Sequence, residues 1–474
     1  MKLVAVVKRE CPTCSLIEPV LKQLDATADV DLSVFTQDDP TFPTGVAHVT
    51  FDGDLDYSYH HDIETVPTLL RLDGDDEQGR IVGWKRAEWE EFTGVEGLGA
   101  ELPDYRPGCG SLSVDPSLID ELRARFEGHR LKARRVDLAD LEDEMEALFD
   151  RGWTDGLPVV PPTAARVLRM LQGTTRSPDE IVAIVPPDLV ECTVEKVAIN
   201  AVLAGCAPEY LPVVLTALEA ACTDEFNMHG LLATTMPVGP VLIVNGPIRR
   251  RIGMNAGINV LGQGNRANAT IGRALQLVIR NVGGGRPGGV DRATQGNPGK
   301  VSFCFPEDEE GSPWEPLHVE RGFAPEASTI TLFPGEGPRG VVDQLSRDPE
   351  SLARSMAACL RTVQHPKLPM VFDAILVVSP EHGRVFREAG WSKAQLKQRL
   401  HELTLLEGAD IVRGAGGITE GVPDMFKDAQ LPKFRPEGIV VVHAGGGAGL
   451  FSTIIGGWAN GDTGSQPVTR EIQV

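Results

Sequence analysis

The chain has 474 residues, which exceeds one ordinary domain and corresponds to about three domain lengths. Its 42% hydrophobic content suits a soluble core, and its net charge of −22 argues against nucleic acid or an anionic membrane surface as a partner. Without a long apolar span, a signal-peptide pattern or a disulfide framework, a reducing, bacterial-type cytoplasm is expected.

The first strong signal is a Cys-x-x-Cys pair, Cys11 and Cys14, at a predicted strand-to-helix junction. The apolar run at residues 3–7 predicts a buried strand, and the apolar stripe after Cys14 predicts an amphipathic helix. Helix N-terminal N–H groups favour a thiolate, so Cys11 is expected to be the nucleophile and Cys14 the resolving thiol. Half of a zinc site is the alternative, but the sequence offers no second ligand pair, and no metal is expected.

These residues resemble the thioredoxin family. The run from Cys11 to Leu21 matches the family's C-x-x-C-x-x-I-x-P-x-L pattern, and residues 66–72 and 79–84 are similar to its cis-proline strand and the strand that follows. The resemblance covers residues 1–95 and implies a thioredoxin-like fold with a redox-active disulfide, Cys11–Cys14. It also implies that Pro67 is cis and lies beside both sulfurs, where its flanking backbone would hold a substrate chain.

A connector is expected over residues 96–136, because prolines, glycines and a short basic run replace regular apolar patterns there. Cys109, within this segment, is a candidate third thiol in a relay with Cys11 and Cys14. The alternative is an inert loop cysteine, since a cysteine reacts only where its surroundings lower its pKa.

A larger α/β domain is predicted over residues 137–474, with a mixed or parallel sheet and buried strands at 240–245, 374–378 and 438–443. The fold class of the whole chain is therefore α/β. A glycine-rich turn follows the last of these strands, where open α/β sheets place ligands. Its backbone N–H groups are expected to bind a carboxylate or phosphate, and its glycines are Gly445, Gly446, Gly447 and Gly449.

Long loops rich in ionisable residues occupy the region from about residue 283 to 321, and long loops in compact domains are usually functional. His318 is the candidate general acid or base, with Asp291 or Glu320 to orient it, and a structural histidine is the alternative. Cys304, between two phenylalanines, is either a second nucleophile or a packed thiol.

An anionic substrate would need a local positive pocket in so acidic a chain. Three cations are assigned to it, namely Arg292, Lys300 and Arg321. We expect the segments 283–300, 312–321 and 445–449 to converge on this site.

The runs at residues 155–163 and 312–321 resemble those of uncharacterised bacterial proteins associated with the UGSC group of selenoproteins. The resemblance covers residues 136–474. It implies redox or thiol-type chemistry in the large domain and assigns no particular reaction.

Three functions follow from these patterns. The favoured one is a thiol-dependent oxidoreductase whose dithiol exchanges electrons with chemistry on a small anionic metabolite in the large domain. A thiol or a thioredoxin-type protein would be the electron donor. A hydrolase or lyase with a regulatory redox module is the first alternative, and a non-catalytic ligand-binding protein is the second. An oligomer is compatible with all three.

Overall fold

The computed structural model describes residues 1–74, 76–139 and 143–473. The chain has an α/β fold and divides into two compact units, Met1–Arg130 and Leu131–Val474. Within the described ranges, no helix combines the length and the apolar character that crossing a membrane requires.

The first unit contains one main sheet and short helices. Its strands are β1 Lys2–Val7, β2 Asp31–Thr36, β3 Val49–Phe51, β4 Thr65–Val66, β5 Thr68–Asp73, β6 Asp76–Val82, β7 Trp84–Lys85, β8 Tyr105–Arg106 and β9 Cys109–Gly110. Its helices are α1 Pro12–Leu16, α2 Glu18–Asp25, α3 Asp56–His60, α4 Arg86–Thr93 and α5 Ile119–Glu127, with 3₁₀ turns at Leu112–Val114 and Gly128–Arg130.

The main sheet of the first unit has the strand order β3-β2-β1-β5-β6. β1 and β2 are parallel, as are β2 and β3, whereas β1 pairs antiparallel with β5 and β5 with β6. The central β1 is almost entirely buried, as its continuous apolar run predicts. Val20 and Leu24 of α2 and Trp89 of α4 belong to the same core as this strand, so the start of α1 is held between a rigid strand and a packed helix.

Much of the predicted connector is packed structure of the first unit. Leu98 is 1% exposed and belongs to its core. The indole N–H of Trp84, itself fully buried, donates to the carbonyl of Pro103 at 2.6 Å. β8 pairs with β7, and β9 pairs with β4. The unit boundary therefore lies at residues 130–131, inside the segment 96–136 rather than at its start.

The second unit is larger and contains the remaining elements. Its strands are β10 Ile181–Val185, β11 Val190–Thr193, β12 Gly239–Asn245, β13 Cys304–Pro306, β14 Thr329–Gly335, β15 Arg339–Val342, β16 Phe372–Val378, β17 Leu405–Glu407, β18 Gln430–Pro432, β19 Ile439–His443, β20 Phe451–Ala459 and β21 Val468–Glu471. Its helices are α6 Glu144–Asp150, α7 Ala164–Leu171, α8 Val194–Ala204, α9 Leu211–Ala221, α10 Met228–Ala233, α11 Ile248–Arg251, α12 Arg266–Asn281, α13 Leu317–Glu320, α14 Pro349–Leu360, α15 Pro380–Glu388, α16 Lys393–Leu403 and α17 Gly408–Ile411. Further 3₁₀ turns lie at Pro208–Tyr210, Pro298–Lys300, Ala415–Gly417 and Asp424–Phe426.

The eight-stranded sheet of the second unit consists of two halves with the same connectivity. In the first half, β12 is parallel to β13 and antiparallel to β14; in the second, β16 is parallel to β19 and antiparallel to β20. The halves meet through one residue pair, Gly335 with Gly457. The strand that follows each half pairs with the other half: β15, which follows β14, pairs with β20, and β21, which follows β20, pairs with β14. A Val-x-x-Pro run ends both β12 and β16. The unit therefore contains an internal structural repeat.

Strand periodicity explains how the two halves pack. Leu242 and Val244 point into a core shared with α8, α9 and α12, whereas Val241 and Ile243 join an apolar cluster that includes Val377 of the other half. The opposite face of the second half packs on α14, α15 and α16. Both β12 and β16 are buried on both faces, which accounts for their uninterrupted apolar sequences. The three strands predicted from sequence are all present.

We predict that a fragment of residues 1–130 folds cooperatively and that one of residues 1–95 is less stable. The shorter fragment lacks Leu98 and the acceptor of the Trp84 indole. Losing one buried leucine and one buried hydrogen bond should lower the free energy of unfolding by about 2–4 kcal/mol. Urea titrations followed by the fluorescence of the fragments' two tryptophans measure the difference. Equal free energies for the two fragments would contradict this division.

Candidate functional site

The Cys-x-x-Cys pair lies at the N-terminal end of α1, directly after the turn that leaves β1. Cys11 is the N-cap residue, and the Cys14 N–H donates to its sulfur at 3.4 Å. Pro12 occupies the first helical position, where a missing N–H costs nothing. Both cysteines have no exposed surface. The strand, the turn and the helix start therefore fix two sulfurs side by side in a buried position.

The pKa of Cys11 is lowered to about 5. The side-chain hydrogen bond with Cys14 is the main cause; burial opposes it, and hydrogen bonds with Cys109 and with the backbone of Cys14 and Thr13 lower the pKa further. Burial and the hydrogen bond with Cys11 instead raise the pKa of Cys14. At neutral pH Cys11 is thus the thiolate and Cys14 holds its proton, which is the division of roles that thiol exchange needs.

A third sulfur completes the site. β9 pairs antiparallel with β4, with Cys109 opposite Val66, and this register puts the Cys109 sulfur 2.9 Å from the Cys11 sulfur. Cys109 is partly exposed. Its pKa is raised, chiefly by burial and then by the hydrogen bond with Cys11.

Pro67 follows Val66, whose backbone carbonyl borders the cysteine cluster. The Val66–Pro67 peptide bond is cis, and the Val66 carbonyl oxygen lies 3.5 Å from the Cys11 sulfur. The backbone edge beside Pro67, which the thioredoxin resemblance assigned to a substrate chain, is paired here with the chain's own Cys109–Gly110 strand.

No family model, curated protein or solved structure matches this chain. Across the described parts of the chain, no group of three or more His, Cys, Asp or Glu side chains has the arrangement of a metal site. The chemistry of the cysteine cluster therefore rests on its own distances, burial and pKa shifts.

His318 lies in α13 of the second unit and has no exposed surface. Its Nε2 is 3.3 Å from the carbonyl oxygen of Pro325, and its Nδ1 is 3.9 Å from the Glu309 carboxylate. A buried imidazole against a backbone carbonyl is the geometry of a structural histidine, the alternative that the sequence left open.

The two carboxylates proposed to orient His318 are paired elsewhere. Asp291 accepts a hydrogen bond from Lys300 at 2.7 Å. Glu320 accepts from Lys393 at 3.0 Å and from Lys397 at 2.8 Å. The structure does not bring either carboxylate to His318, because nearer cations neutralise both.

The predicted substrate-binding cations also have separate surroundings. Lys300 is engaged with Asp291, Arg292 is exposed, and the Arg321 guanidinium donates to the Thr469 hydroxyl and to a nearby backbone carbonyl. Burial lowers the pKa of Arg321. These contacts do not unite the three cations in one anion site.

The glycine-rich turn after β19 lines a cavity of about 400 Å³ together with residues 259–262, Ser379 and Ser452. Gly445 already donates its N–H to the carbonyl of Ala256 at 2.9 Å. The Ser379 hydroxyl is buried and has no hydrogen-bond partner in the described part of the chain. The cavity thus offers neutral polar groups and glycine amides, whereas the predicted cations do not line it.

Cys304 is 6% exposed and belongs to the core beside α12. Burial raises its pKa far above neutrality. The packed-thiol alternative therefore accounts for it, and a nucleophilic role finds no support in its surroundings.

Sequence reasoning missed a buried polar cluster around Glu307. One Glu307 oxygen accepts from the Asn245 side chain and from the Leu317 N–H, both at 2.7 Å. The other oxygen, and polar atoms of Asn245, His318 and Thr329, are buried without a partner within the described ranges. Burial raises the pKa of Glu307. An acidic run directly after the buried β13 was the available signal, since a carboxylate drawn into the core beside such a strand must be paired or hydrogen-bonded.

The sequence also missed a cavity of about 890 Å³ in the second unit. Apolar side chains such as Trp153, Val167 and Ile199 line it. Asn281 donates its side-chain amide to the Trp153 carbonyl and to Asn200, while its own oxygen is buried without a described partner. The Gly- and Pro-rich run at 152–163 was the signal for this cavity, because such a run fixes the direction of the backbone more rigidly than a linker needs.

We predict an ultraviolet thiolate absorbance step near pH 5 in the reduced protein, and its loss in Cys11→Ser. The midpoint should rise in Cys14→Ala and, by a smaller amount, in Cys109→Ala, following the order of their hydrogen bonds to Cys11. An unfolded thiol has a pKa of about 8.5. Cys11 therefore stabilises the fold fully above that pH, and the contribution is lost as pH falls through about 5. A single step at the unfolded value would contradict these roles.

Proposed function

We propose that the first unit is a thioredoxin-like thiol–disulfide oxidoreductase, with Cys11 as nucleophile and Cys14 as resolving thiol. The observation that carries the proposal is the position of Cys11 at the start of α1, where the Cys14 N–H donates to its sulfur at 3.4 Å and the Cys109 sulfur lies at 2.9 Å. These contacts accompany a pKa of Cys11 lowered to about 5, beside a partner thiol, Cys14, whose pKa is raised. Structural cysteines in apolar surroundings show the opposite shift, as Cys304 and Cys206 do in this chain.

The reaction balances as a two-step exchange. The Cys11 thiolate attacks one sulfur of a substrate disulfide, and the other substrate sulfur leaves as a thiolate and takes a proton from solvent. Cys14 then loses its proton and attacks the Cys11 sulfur, releasing the second substrate thiolate and forming the Cys11–Cys14 disulfide. Two electrons and one proton from a thiol donor restore the Cys11 thiolate and the Cys14 thiol.

The topology of the first unit supports a thioredoxin-like assignment. The cysteine pair follows the central strand β1, which has parallel neighbours on one side and the antiparallel β5 and β6 on the other. Pro67 lies directly before β5 and thereby beside the end of β1, where the cysteines lie.

Replacement of Cys11 by serine should reduce disulfide reduction to the uncatalysed background, because a serine hydroxyl is not ionised at neutral pH. Turnover of a small aromatic disulfide with dithiothreitol as donor measures this. Cys359→Ser is the matched control, since Cys359 is a partly exposed thiol of α14 in the other unit and should leave the rate unchanged. Full activity in Cys11→Ser would overturn the proposal.

A second candidate function is the binding of a small organic anion in the 890 Å³ cavity of the second unit. The cavity combines an apolar lining with a buried amide oxygen on Asn281. Among its described lining residues, four side chains are cationic and three are acidic, in a chain of net charge −22; the cations are Arg134, Arg135, Arg151 and Lys196. The acid Glu195 is occupied by the N–H groups of residues 132 and 133. A hydrolase or lyase centred on His318 has less support, because His318 lines neither cavity.

Anilinonaphthalene sulfonate, an apolar anion whose fluorescence rises in apolar sites, tests this cavity. We expect saturable binding of one molecule per chain and its loss in Ala147→Trp, which fills the cavity from α6. Ala358→Trp, at an exposed position of α14, is the matched control and should bind as the native protein does. Thermal melts verify that both variants are folded. Equal binding by the two variants would place the probe elsewhere and contradict the assignment.

A further inference from the structure

The position of Cys109 is built into the fold of the first unit. The Thr13 hydroxyl donates to the Pro107 carbonyl at 2.6 Å, and the Lys8 ammonium donates to the Gly110 carbonyl at 2.8 Å. Immediately afterwards, the Ser111 hydroxyl accepts from the buried Gln37 side chain at 2.6 Å. Contacts on both sides of Cys109 thus hold its strand against β4.

Gly108 shows how closely this strand approaches. A Cβ at residue 108 would lie 2.4 Å from the Thr65 side chain and 2.9 Å from the Val66 carbonyl oxygen. Any side chain there would push β9 away from β4. The glycine therefore permits the register that sets the Cys109 sulfur beside that of Cys11.

The three cysteines differ in their exposure to solvent. Cys11 and Cys14 have no exposed surface, whereas Cys109 is partly exposed. A thiol or disulfide in solution can therefore reach the cluster at Cys109 while β9 stays in place. The residue with the reactive thiolate and the partly exposed residue are therefore different, and their sulfurs are 2.9 Å apart.

Resting on the proposed function, we propose that Cys109 is a third catalytic cysteine, which forms a disulfide with Cys11 and exchanges with low-molecular-weight thiols and disulfides. Within the protein, the Cys14 thiolate and the Cys109 thiolate compete for the Cys11 sulfur. Attack by Cys109 on the Cys11–Cys14 disulfide forms Cys11–Cys109, and the proton of Cys109 passes to Cys14. This internal step changes no net oxidation state.

The external step uses a small thiol RSH as reductant. Its thiolate attacks the sulfur of the partly exposed Cys109, and the bond to Cys11 breaks, because a thiol with a pKa of about 5 is a good leaving group. A second RSH thiolate then attacks the R sulfur, releasing RSSR and the Cys109 thiolate, which takes a proton. In total, two RSH are oxidised to RSSR, Cys109 becomes a thiol again, Cys11 is left as a thiolate, and one proton is released.

The surroundings of Cys109 favour an anionic thiolate as partner. The Lys8 ammonium beside Gly110 lowers the pKa of Cys109 electrostatically, although burial has the larger and opposite effect. A positive charge next to the attacked sulfur attracts the thiolate and stabilises the charge that moves through the exchange. Extended polypeptides are poorer partners, since β9 already occupies the edge of β4.

Oxidation of the full-length reduced protein by glutathione disulfide, followed by alkylation and peptide mapping, tests the assignment. Cys14→Ser should give an internal Cys11–Cys109 disulfide, and Cys109→Ser should give Cys11–Cys14. The double variant Cys14→Ser/Cys109→Ser should accumulate a Cys11–glutathione mixed disulfide. If Cys14→Ser accumulates as much of that mixed disulfide as the double variant, Cys109 does not resolve it, and the inference fails while the proposed function stands.

A kinetic measurement adds a second criterion. Reduction of the oxidised protein by glutathione should slow at least about tenfold in Cys109→Ser, because the remaining disulfide has no exposed sulfur. Cys222→Ser, which removes another partly exposed thiol, should keep the native rate. Equal rates in the two variants would overturn the role of Cys109. If Cys11 stays fully reduced under excess glutathione disulfide in the wild type and in every variant, the proposed function itself fails.

Discussion

The first unit depends on a single electrostatic constraint, the stabilisation of a thiolate that is shielded from water. Burial alone would protonate Cys11, and it does raise the pKa of this residue. Hydrogen bonds from the neighbouring thiols and from the first turn of α1 outweigh it. Thr13 and Cys14 lie in the helix turn that Cys11 caps, whereas Cys109 comes from β9, 98 residues further along the chain. The low pKa of Cys11 therefore depends both on the local turn and on the pairing that brings β9 to β4.

Local patterns were sufficient for the parts of the fold whose signals are local. The continuous apolar runs predicted β12, β16 and β19 because strands covered on both faces tolerate no polar positions. The α/β class followed from their alternation with helices. The cysteine pair was recognisable because its spacing and its strand-to-helix setting are contained within about fifteen residues, the length over which a sequence pattern is read.

The rest is governed by contacts between distant residues. β8 and β9 have two residues each, which is too short to show the alternating pattern of a strand, and they pair with strands about 20 to 45 residues earlier in the chain. The Pro- and Gly-rich composition around them therefore indicated a connector. Dense charges around residue 300 suggested one site, but Glu320 pairs with Lys393, 73 residues away. Proximity in sequence says little about which charges meet. The repeat in the second unit also escaped notice, because its halves share connectivity more than residues.

The antiparallel pairing of β9 with β4 also sets the effective concentration of the Cys109 thiol at the Cys11 sulfur. A thiol free in solution must diffuse to the active site, whereas a thiol fixed beside its target acts at an effective molarity that can exceed about 10⁵ M for well-oriented groups. Under the proposed role of Cys109, an adduct formed on Cys11 would be displaced from within the protein, and its lifetime would not depend on the concentration of thiols in solution.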